Sequence, residues 1–154
     1  MNIYLIIILA ALILDYILSN VSQSFTLKNL SPDLPEEFEG VYDKELYTKS
    51  QNYTRDNINF SRIHTTFSLI LTILFILLGG FNFVDEWARS IVDHPVFSGL
   101  VFMGILFVLQ DIISLPFSLY HTFGIEKKYG FNKMTASLYL LDKVKGYALT
   151  IVLG

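Results

Sequence analysis

Apolar residues in this chain are collected in blocks that polar stretches separate, a pattern typical of a membrane protein. The blocks cover about residues 3–20, 63–84, 96–121 and 143–154. A helix needs about 20 apolar residues to cross a bilayer. The first three blocks therefore predict spans, and the fourth predicts the start of another. We predict an all-α fold: a polytopic transmembrane helical bundle with three full spans plus the start of a fourth.

A secretory signal peptide is the alternative interpretation of the first block. Such peptides begin with a basic region, whereas the first basic residue of this chain is Lys28. Small residues that could precede a cleavage site do follow the block, at Ser19, Ser22 and Ser24. Because the basic region is missing, we expect a retained helix.

Two polar stretches, about 21–62 and 122–142, are predicted to connect the spans. In the first of them, Pro35 followed by Glu36 and Glu37 is typical of a helix start. Apolar residues then recur in steps of four and seven, at Tyr42, Leu46, Tyr53, Phe60 and Phe67. This spacing favours a juxtamembrane helix that continues into the second span.

The distribution of basic residues predicts the orientation of the spans. Of the 11 Lys and Arg residues, five lie between 19 and 62, five lie between 122 and 145, and only Arg89 lies in the short link Asp85–Pro95. Basic loops stay on the cytoplasmic side, and acidic residues count for little in this rule. We therefore expect both basic loops in the cytoplasm and the N-terminus outside.

Polar residues inside the third block predict a buried polar face. An acid near the bilayer centre is costly and should face protein or water. Asp111, Ser114, Ser118 and His121 follow one another in steps of three and four, which places them on one side of a helix beside Gln110. This stripe could line a water-filled cavity or substrate path, or it could supply hydrogen bonds between helices. Pro116 is predicted to kink the same helix.

Composition and the absence of known motifs exclude several kinds of binding and catalytic site. A net charge of −3 argues against nucleic acid as a partner, and the absence of Cys excludes thiol catalysis and thiolate metal sites. The three histidines, His64, His94 and His121, are scattered, and none begins an H-E-x-x-H motif. The sequence also lacks a G-x-S-x-G motif and a P-loop. We therefore assign the chain itself no catalytic residue, no metal ligand and no cofactor.

Two longer stretches carry a family resemblance. The stretch from Leu115 to Asn132, LPFSLYHTFGIEKKYGFN, resembles the end of the third span and the following loop in the type I CAAX prenyl endopeptidases, which are integral-membrane zinc metalloproteases. The residues that fall on the family loop motif are Glu126, Lys128, Gly130, Phe131 and Asn132. The first polar stretch contains YTKSQNY, which is similar to the family's Y-x-K-S-x-x-Y signature. Its matching residues are Tyr47, Lys49, Ser50 and Tyr53, followed by Arg55, Asp56 and Phe60. Leu34, Pro35 and Phe38 also look like the family.

The resemblance implies a seven-span protein that encloses a large intramembrane chamber. It implies a zinc ion bound by two His of an H-E-x-x-H motif and a distal Glu, with the motif Glu as general base. Such enzymes remove the last three residues of prenylated CAAX proteins, and bacterial relatives act on other membrane proteins in quality control. No position of this chain matches the catalytic motif, so the catalytic residues are not transferred.

We therefore expect residues 1–154 to be the N-terminal membrane domain of a CAAX prenyl protease-like metallopeptidase that is inactive alone. Its expected partners are the lipid bilayer, the remaining C-terminal part of the protease and, for the whole enzyme, prenylated CAAX or other membrane-protein substrates, with zinc present only in the full-length protein. We expect a multi-pass protein of a bacterial inner membrane in preference to the endoplasmic reticulum. The alternatives are a non-enzymatic membrane adaptor or assembly subunit on the same scaffold and, from the Asp111 stripe alone, part of a transporter.

Overall fold

The structure is a computed structural model that describes residues 2–36, 40–41 and 43–153. Every regular element of these residues is helical, which confirms the predicted fold class. The helices are α1 (Ile3–Asn29), α2 (Lys44–Leu77), α3 (Gly80–Ile91), α4 (Pro95–Tyr120), a π-helical segment (His121–Glu126) and α5 (Ala136–Leu153). Within these described ranges, three helical stretches are long and apolar enough to cross a membrane: α1, α2, and α4 together with the π-helical segment.

Helix α1 is longer than its apolar block. The Asn2 side chain accepts a hydrogen bond from the Tyr4 backbone N–H at its start, and the helix continues nine residues past the predicted span end at 20. Polar side chains in this extension bond to carbonyls one turn back: Asn20 donates to Tyr16, and Ser24 donates to Asn20. Polar residues that bond to their own helix in this way do not interrupt it.

Helix α2 begins at Lys44, and the helix start predicted at Pro35 runs into residues outside the described part of the chain. The Asp43 carboxylate accepts hydrogen bonds from the backbone N–H groups of Glu45 and Leu46, at 2.8 and 3.2 Å, which is the contact expected of an N-cap residue. Three residues named in the sequence analysis, Glu37, Phe38 and Tyr42, lie outside the described residues. The helix has 34 residues, or about 51 Å, so the predicted continuation of a juxtamembrane helix into the second span is confirmed.

The second span ends earlier than predicted, and the link after it is mostly helical. Gly79 has a φ of +74°, a conformation that glycine adopts without strain, and it separates α2 from α3. Helix α3 buries Val84 and Ala88, which are 1% and 0% exposed, and Ser98 of α4 is also buried. The stretch 80–84, predicted as the end of a span, instead begins a short helix that packs on α4.

The helices on either side of the second polar stretch differ from prediction in their bounds. His94 accepts a hydrogen bond from the Val96 backbone N–H at the start of α4, and Pro95 occupies the first turn. Pro116 lies inside the helix, which continues as a π-helix through Glu126. The polar stretch 122–142 is therefore partly helical at both ends, since α5 begins at Ala136. Thr135 accepts a bond from the Leu138 N–H there.

Candidate functional site

The family loop motif ends the π-helical segment with a specific turn. Gly130 has a φ of +76°, and the backbone N–H of Phe131 donates to the Glu126 carbonyl at 2.9 Å, while that of Gly130 donates to the Lys127 carbonyl at 3.1 Å. These two bonds are the Schellman pattern, in which a glycine just beyond the helix satisfies its last carbonyls. The glycine of the motif therefore has a backbone role.

Asp56 of α2 holds this turn in place. Its Oδ2 accepts hydrogen bonds from Lys128 Nζ and from Tyr129 Oη, both at 2.7 Å. The Asp56 carboxylate is the main cause of the raised pKa of the Lys128 ammonium. The pKa of the Tyr129 hydroxyl is also raised, first by burial and then by its bond to Asp56. One carboxylate thus connects α2 to a loop more than 70 residues later.

Aromatic packing joins the two family motifs directly. The Tyr53 ring lies edge-on to Tyr129 and to Phe131, with centroids 5.3 and 4.8 Å apart. Lys49 Nζ lies 5.6 Å from the centre of the Phe131 ring, within the range of a cation–π contact. The two motifs that carry the resemblance are therefore two sides of one interface. We call this interface, formed by Lys49, Tyr53, Asp56, Lys128, Tyr129, Gly130 and Phe131, the motif junction.

The remaining motif residues make shorter-range contacts. Asn132 Nδ2 donates to the Thr122 carbonyl at 2.9 Å, and its Oδ1 accepts from the Met134 N–H, so it closes the turn on itself. The carboxylate of Glu126 lies 3.6 Å from His121 Nδ1. In the first motif, the Ser50 hydroxyl donates to the Tyr47 carbonyl one turn back.

The structure divides the polar stripe of α4 between two neighbouring helices. Asp111 accepts hydrogen bonds from Lys143 Nζ, at 2.5 Å, and from Tyr147 of α5. Ser118 bonds to Tyr139 Oη at 2.6 Å. The other three stripe residues do not contact α5 through these bonds. His121 Nε2 bonds to Asn57 Oδ1 of α2 at 2.8 Å. Gln110 donates to Ser114 within α4. The stripe supplies hydrogen bonds between helices at these positions.

Several residues of these contacts were missed by the sequence analysis: Asn57, Tyr129, Tyr139, Lys143 as a partner, and Tyr147. Charge pairing could have found one of them. An acid inside a span calls for a cation, and Lys143 is the first basic residue of the next apolar block. The bonds of Tyr129 and Asn57 had no such signal, because each joins residues more than 60 positions apart.

The described residues do not assemble a metal centre. No three His, Asp, Glu or Cys side chains among them lie close enough together to bind one ion. His121 and His64 both pack near the Phe60 ring, with centroids 5.8 and 6.5 Å from it. These histidines act as aromatic and hydrogen-bonding side chains in this part of the chain.

Comparisons with known proteins agree with this architecture. The chain matches a family model described as "CAAX prenyl protease N-terminal, five membrane helices" over residues 23–154. It is 34% identical to the CAAX prenyl protease 1 homolog of Oryza sativa subsp. japonica over 98% of this chain and 37% of that protein. It is 31% identical to CAAX prenyl protease 1 of Saccharomyces cerevisiae over 79% of this chain and 29% of that protein.

A solved structure shows the same arrangement of helices. The crystal structure of S. mikatae Ste24p superposes with a TM-score of 0.90 at 29% identity, and the match covers 100% of this chain and 37% of that one. The chain spans 26–37% of the length of the curated relatives it matches. It contains no H-E-x-x-H motif. The chain belongs to the CAAX prenyl protease family, of which it is the N-terminal membrane region.

Proposed function

We propose that this membrane region is the scaffold of a zinc metalloendopeptidase that removes the C-terminal tripeptide of prenylated CAAX proteins. The match to the protease family over residues 23–154 carries the proposal. The motif junction supports it, because it fixes α2 against the loop between α4 and α5. In this proposal, the fixed contact between α2 and the loop helps to shape the intramembrane chamber without contributing reactive groups.

Zinc belongs, in this proposal, to the remaining C-terminal part of the protease. Catalytic zinc takes three protein ligands and an open position for water, and the described residues bring no such set together. We therefore assign the residues of this chain a positioning role and no step of the reaction. Prenylated CAAX proteins or other membrane proteins are the proposed substrates of the whole enzyme.

The chain is an integral membrane protein, and we propose its orientation from charge. Ten of the 11 basic residues lie in the two polar stretches around 19–62 and 122–145, which supports an orientation with the motif junction in the cytoplasm and the N-terminus outside. A bacterial inner membrane, in preference to the endoplasmic reticulum, stays a prediction. The relatives named above come from a plant and a yeast.

Co-expression tests the scaffold proposal. The chain is produced alone, and together with the remaining C-terminal part of the Saccharomyces cerevisiae relative. Each sample is given a farnesylated CAAX peptide. We expect no cleavage and no stoichiometric zinc from the chain alone, and chelator-sensitive cleavage from the pair, since membrane helices that insert independently can associate afterwards.

A matched pair of variants sharpens this test. Asp56→Asn should lower the recovered activity because it weakens the motif junction, whereas Asp85→Asn, in an exposed pair with Arg89, should leave it unchanged. Cleavage by the chain alone would refute the scaffold role. No cleavage by the pair, with both parts in the membrane, would favour the non-enzymatic adaptor.

A further inference from the structure

An open groove between α2 and the C-terminal half of α4 changes from charged to apolar along its length. Its volume is about 810 Å³. Polar side chains line one end of the groove: Asp56, Asn59 and Lys128. Apolar side chains line the rest: Phe60, Ile63, Phe67, Phe117, Tyr120 and Ile125. The groove therefore has the chemical polarity of an amphiphile with a charged head and a hydrocarbon tail.

The length and depth of the groove match one leaflet of a bilayer. From Asp56 to Phe67 α2 advances by about 16 Å, close to half of a hydrocarbon core of about 30 Å. Helix α2 ends at Leu77, and a core of about 30 Å takes about 20 of its residues, so Asp56 lies about 3 Å outside the core. That is the level of the headgroups, which add some 5–8 Å on each side of the core.

The charged end of the groove presents one group of each sign. Asp56 and Lys128 are paired at 2.7 Å, yet their side chains remain 33% and 64% exposed. A zwitterionic headgroup complements this pair, with its phosphate toward the Lys128 ammonium and its own ammonium toward the Asp56 carboxylate. A primary ammonium can donate hydrogen bonds to a carboxylate, whereas a trimethylated one has no N–H.

We propose that this groove is a binding site for one phosphatidylethanolamine molecule of the cytoplasmic leaflet. The headgroup occupies the end formed by Asp56, Asn59 and Lys128, and one acyl chain lies along Phe60, Ile63 and Phe117. The lipid fills the space between α2 and α4 directly beside the motif junction. The site depends on residence in the membrane and not on the protease reaction, so its test is independent of cleavage.

Native mass spectrometry of the 154-residue chain tests this site. The protein is released from nanodiscs that contain equal amounts of phosphatidylethanolamine, phosphatidylglycerol and phosphatidylcholine. We expect one phosphatidylethanolamine to remain bound, retained at least fivefold over the other two lipids. Ile63→Trp should abolish retention by filling the groove, since Ile63 is 65% exposed and lines it.

Ile70→Trp is the matched control. Ile70 lies two turns further along the same face of α2, is 54% exposed and lies outside the groove lining, so lipid retention should be unchanged. Lys128→Gln should reduce the preference for phosphatidylethanolamine, whereas Lys133→Gln should not.

Three outcomes would overturn the proposal. Equal retention by wild type and Ile63→Trp would place the lipid elsewhere. Retention of phosphatidylglycerol at or above the level of phosphatidylethanolamine would refute the headgroup assignment. Displacement of the lipid by equimolar farnesylated peptide would identify the groove as a substrate path instead.

Discussion

At the scale of single residues, Asp56 explains why the loop after α4 keeps its position. Its carboxylate accepts bonds from Lys128, which is mostly exposed, and from Tyr129, which is buried. The bond to Tyr129 contributes more to stability than the bond to Lys128. Without its acceptor, the buried Tyr129 hydroxyl would have no hydrogen-bond partner in the folded chain, whereas it bonds to water in the unfolded chain.

Replacing Asp56 by Asn should destabilise the folded chain. The amide keeps the size of the side chain but removes the charge that strengthens both hydrogen bonds, so we expect the free energy of unfolding to fall by about 1–2 kcal/mol. Reversible unfolding in mixed detergent micelles measures this change. Asp85→Asn, which breaks an exposed pair, should have no measurable effect. Equal losses in the two variants would contradict a special role for Asp56.

The motif junction should also respond to alkaline pH. The pKa values of Lys128 and Tyr129 are raised in the fold above their ordinary values of 10.5 and 10.0. The stabilisation that they supply is therefore complete below pH 10 and is lost as the pH rises through the raised values. After correction for intrinsic rates, hydrogen exchange of the 126–132 backbone should stay slow from pH 6 to 9 and become faster as the pH rises above 10. If exchange in the Asp56→Asn variant accelerated at the same alkaline pH as in the wild type, the bonds to Asp56 would not be the cause of the pH dependence.

Gly130 should tolerate no side chain without strain. The space beside it is open, with Lys49 Nζ 3.7 Å from where a Cβ would lie, so the cost of Gly130→Ala comes from its positive φ alone. We expect a loss of about 1–2 kcal/mol in unfolding free energy. Gly99→Ala, with open space and no positive φ, should cause no loss. A neutral Gly130→Ala would show that the turn can relax.

At the scale of helices, the apolar blocks predicted where the spans lie, but they did not predict where the helices end. In the extension of α1 to Asn29, side chains such as Asn20 and Ser24 bond to carbonyls of their own helix. The same residue types are common in loops, so their pattern alone does not separate the two outcomes. The break at Gly79 was equally ambiguous, because glycine is tolerated within membrane helices.

The candidate site was only partly predictable for a related reason. The sequence identified the two motifs and the polar stripe, but it carried no local signal that Tyr53 would contact Phe131 or that Asp56 would bond to Tyr129. Residues more than 70 positions apart meet only after the helices have packed.

The pair formed by Asp111 and Lys143 should hold α5 against α4. Both side chains are mostly buried, with exposures of 28% and 24%. Lys143→Ala should cost about 2–3 kcal/mol in unfolding free energy, since it leaves an acid in the span with only Tyr147 as a partner. The double variant Asp111→Asn, Lys143→Ala should cost less than Lys143→Ala alone.

Lys145→Ala serves as the control for this pair, because Lys145 is 61% exposed and pairs loosely with Asp142 at 3.9 Å. We expect it to change the unfolding free energy by less than half a kcal/mol, roughly the size of an exposed helical ion pair. Additive effects of Asp111→Asn and Lys143→Ala in a double-mutant cycle would contradict the coupling.

At the scale of the whole molecule, each span carries the chain to the other side of the membrane, so the orientation of one loop fixes that of the others. The chain has no Cys, and it offers two matched sites for single-Cys labelling. Ser50 and Ser90 are both exposed, and each hydroxyl donates to a carbonyl three residues earlier. An impermeant maleimide added outside intact cells should label Ser90→Cys but not Ser50→Cys, and both should react after permeabilisation. The reverse pattern would invert the proposed topology.

The motif junction has a consequence for how this sequence can change over evolutionary time. Asp56 accepts hydrogen bonds from both Lys128 and Tyr129. A substitution at any one of the three residues therefore reduces how much the other two stabilise the fold. The pairing of Tyr53 with Phe131 imposes the same dependence on ring size. Substitutions in these two segments, which lie far apart in the gene, are therefore expected to be correlated. A hybrid that joins the first half of one relative to the second half of another should fold well only when the two halves carry matching partners.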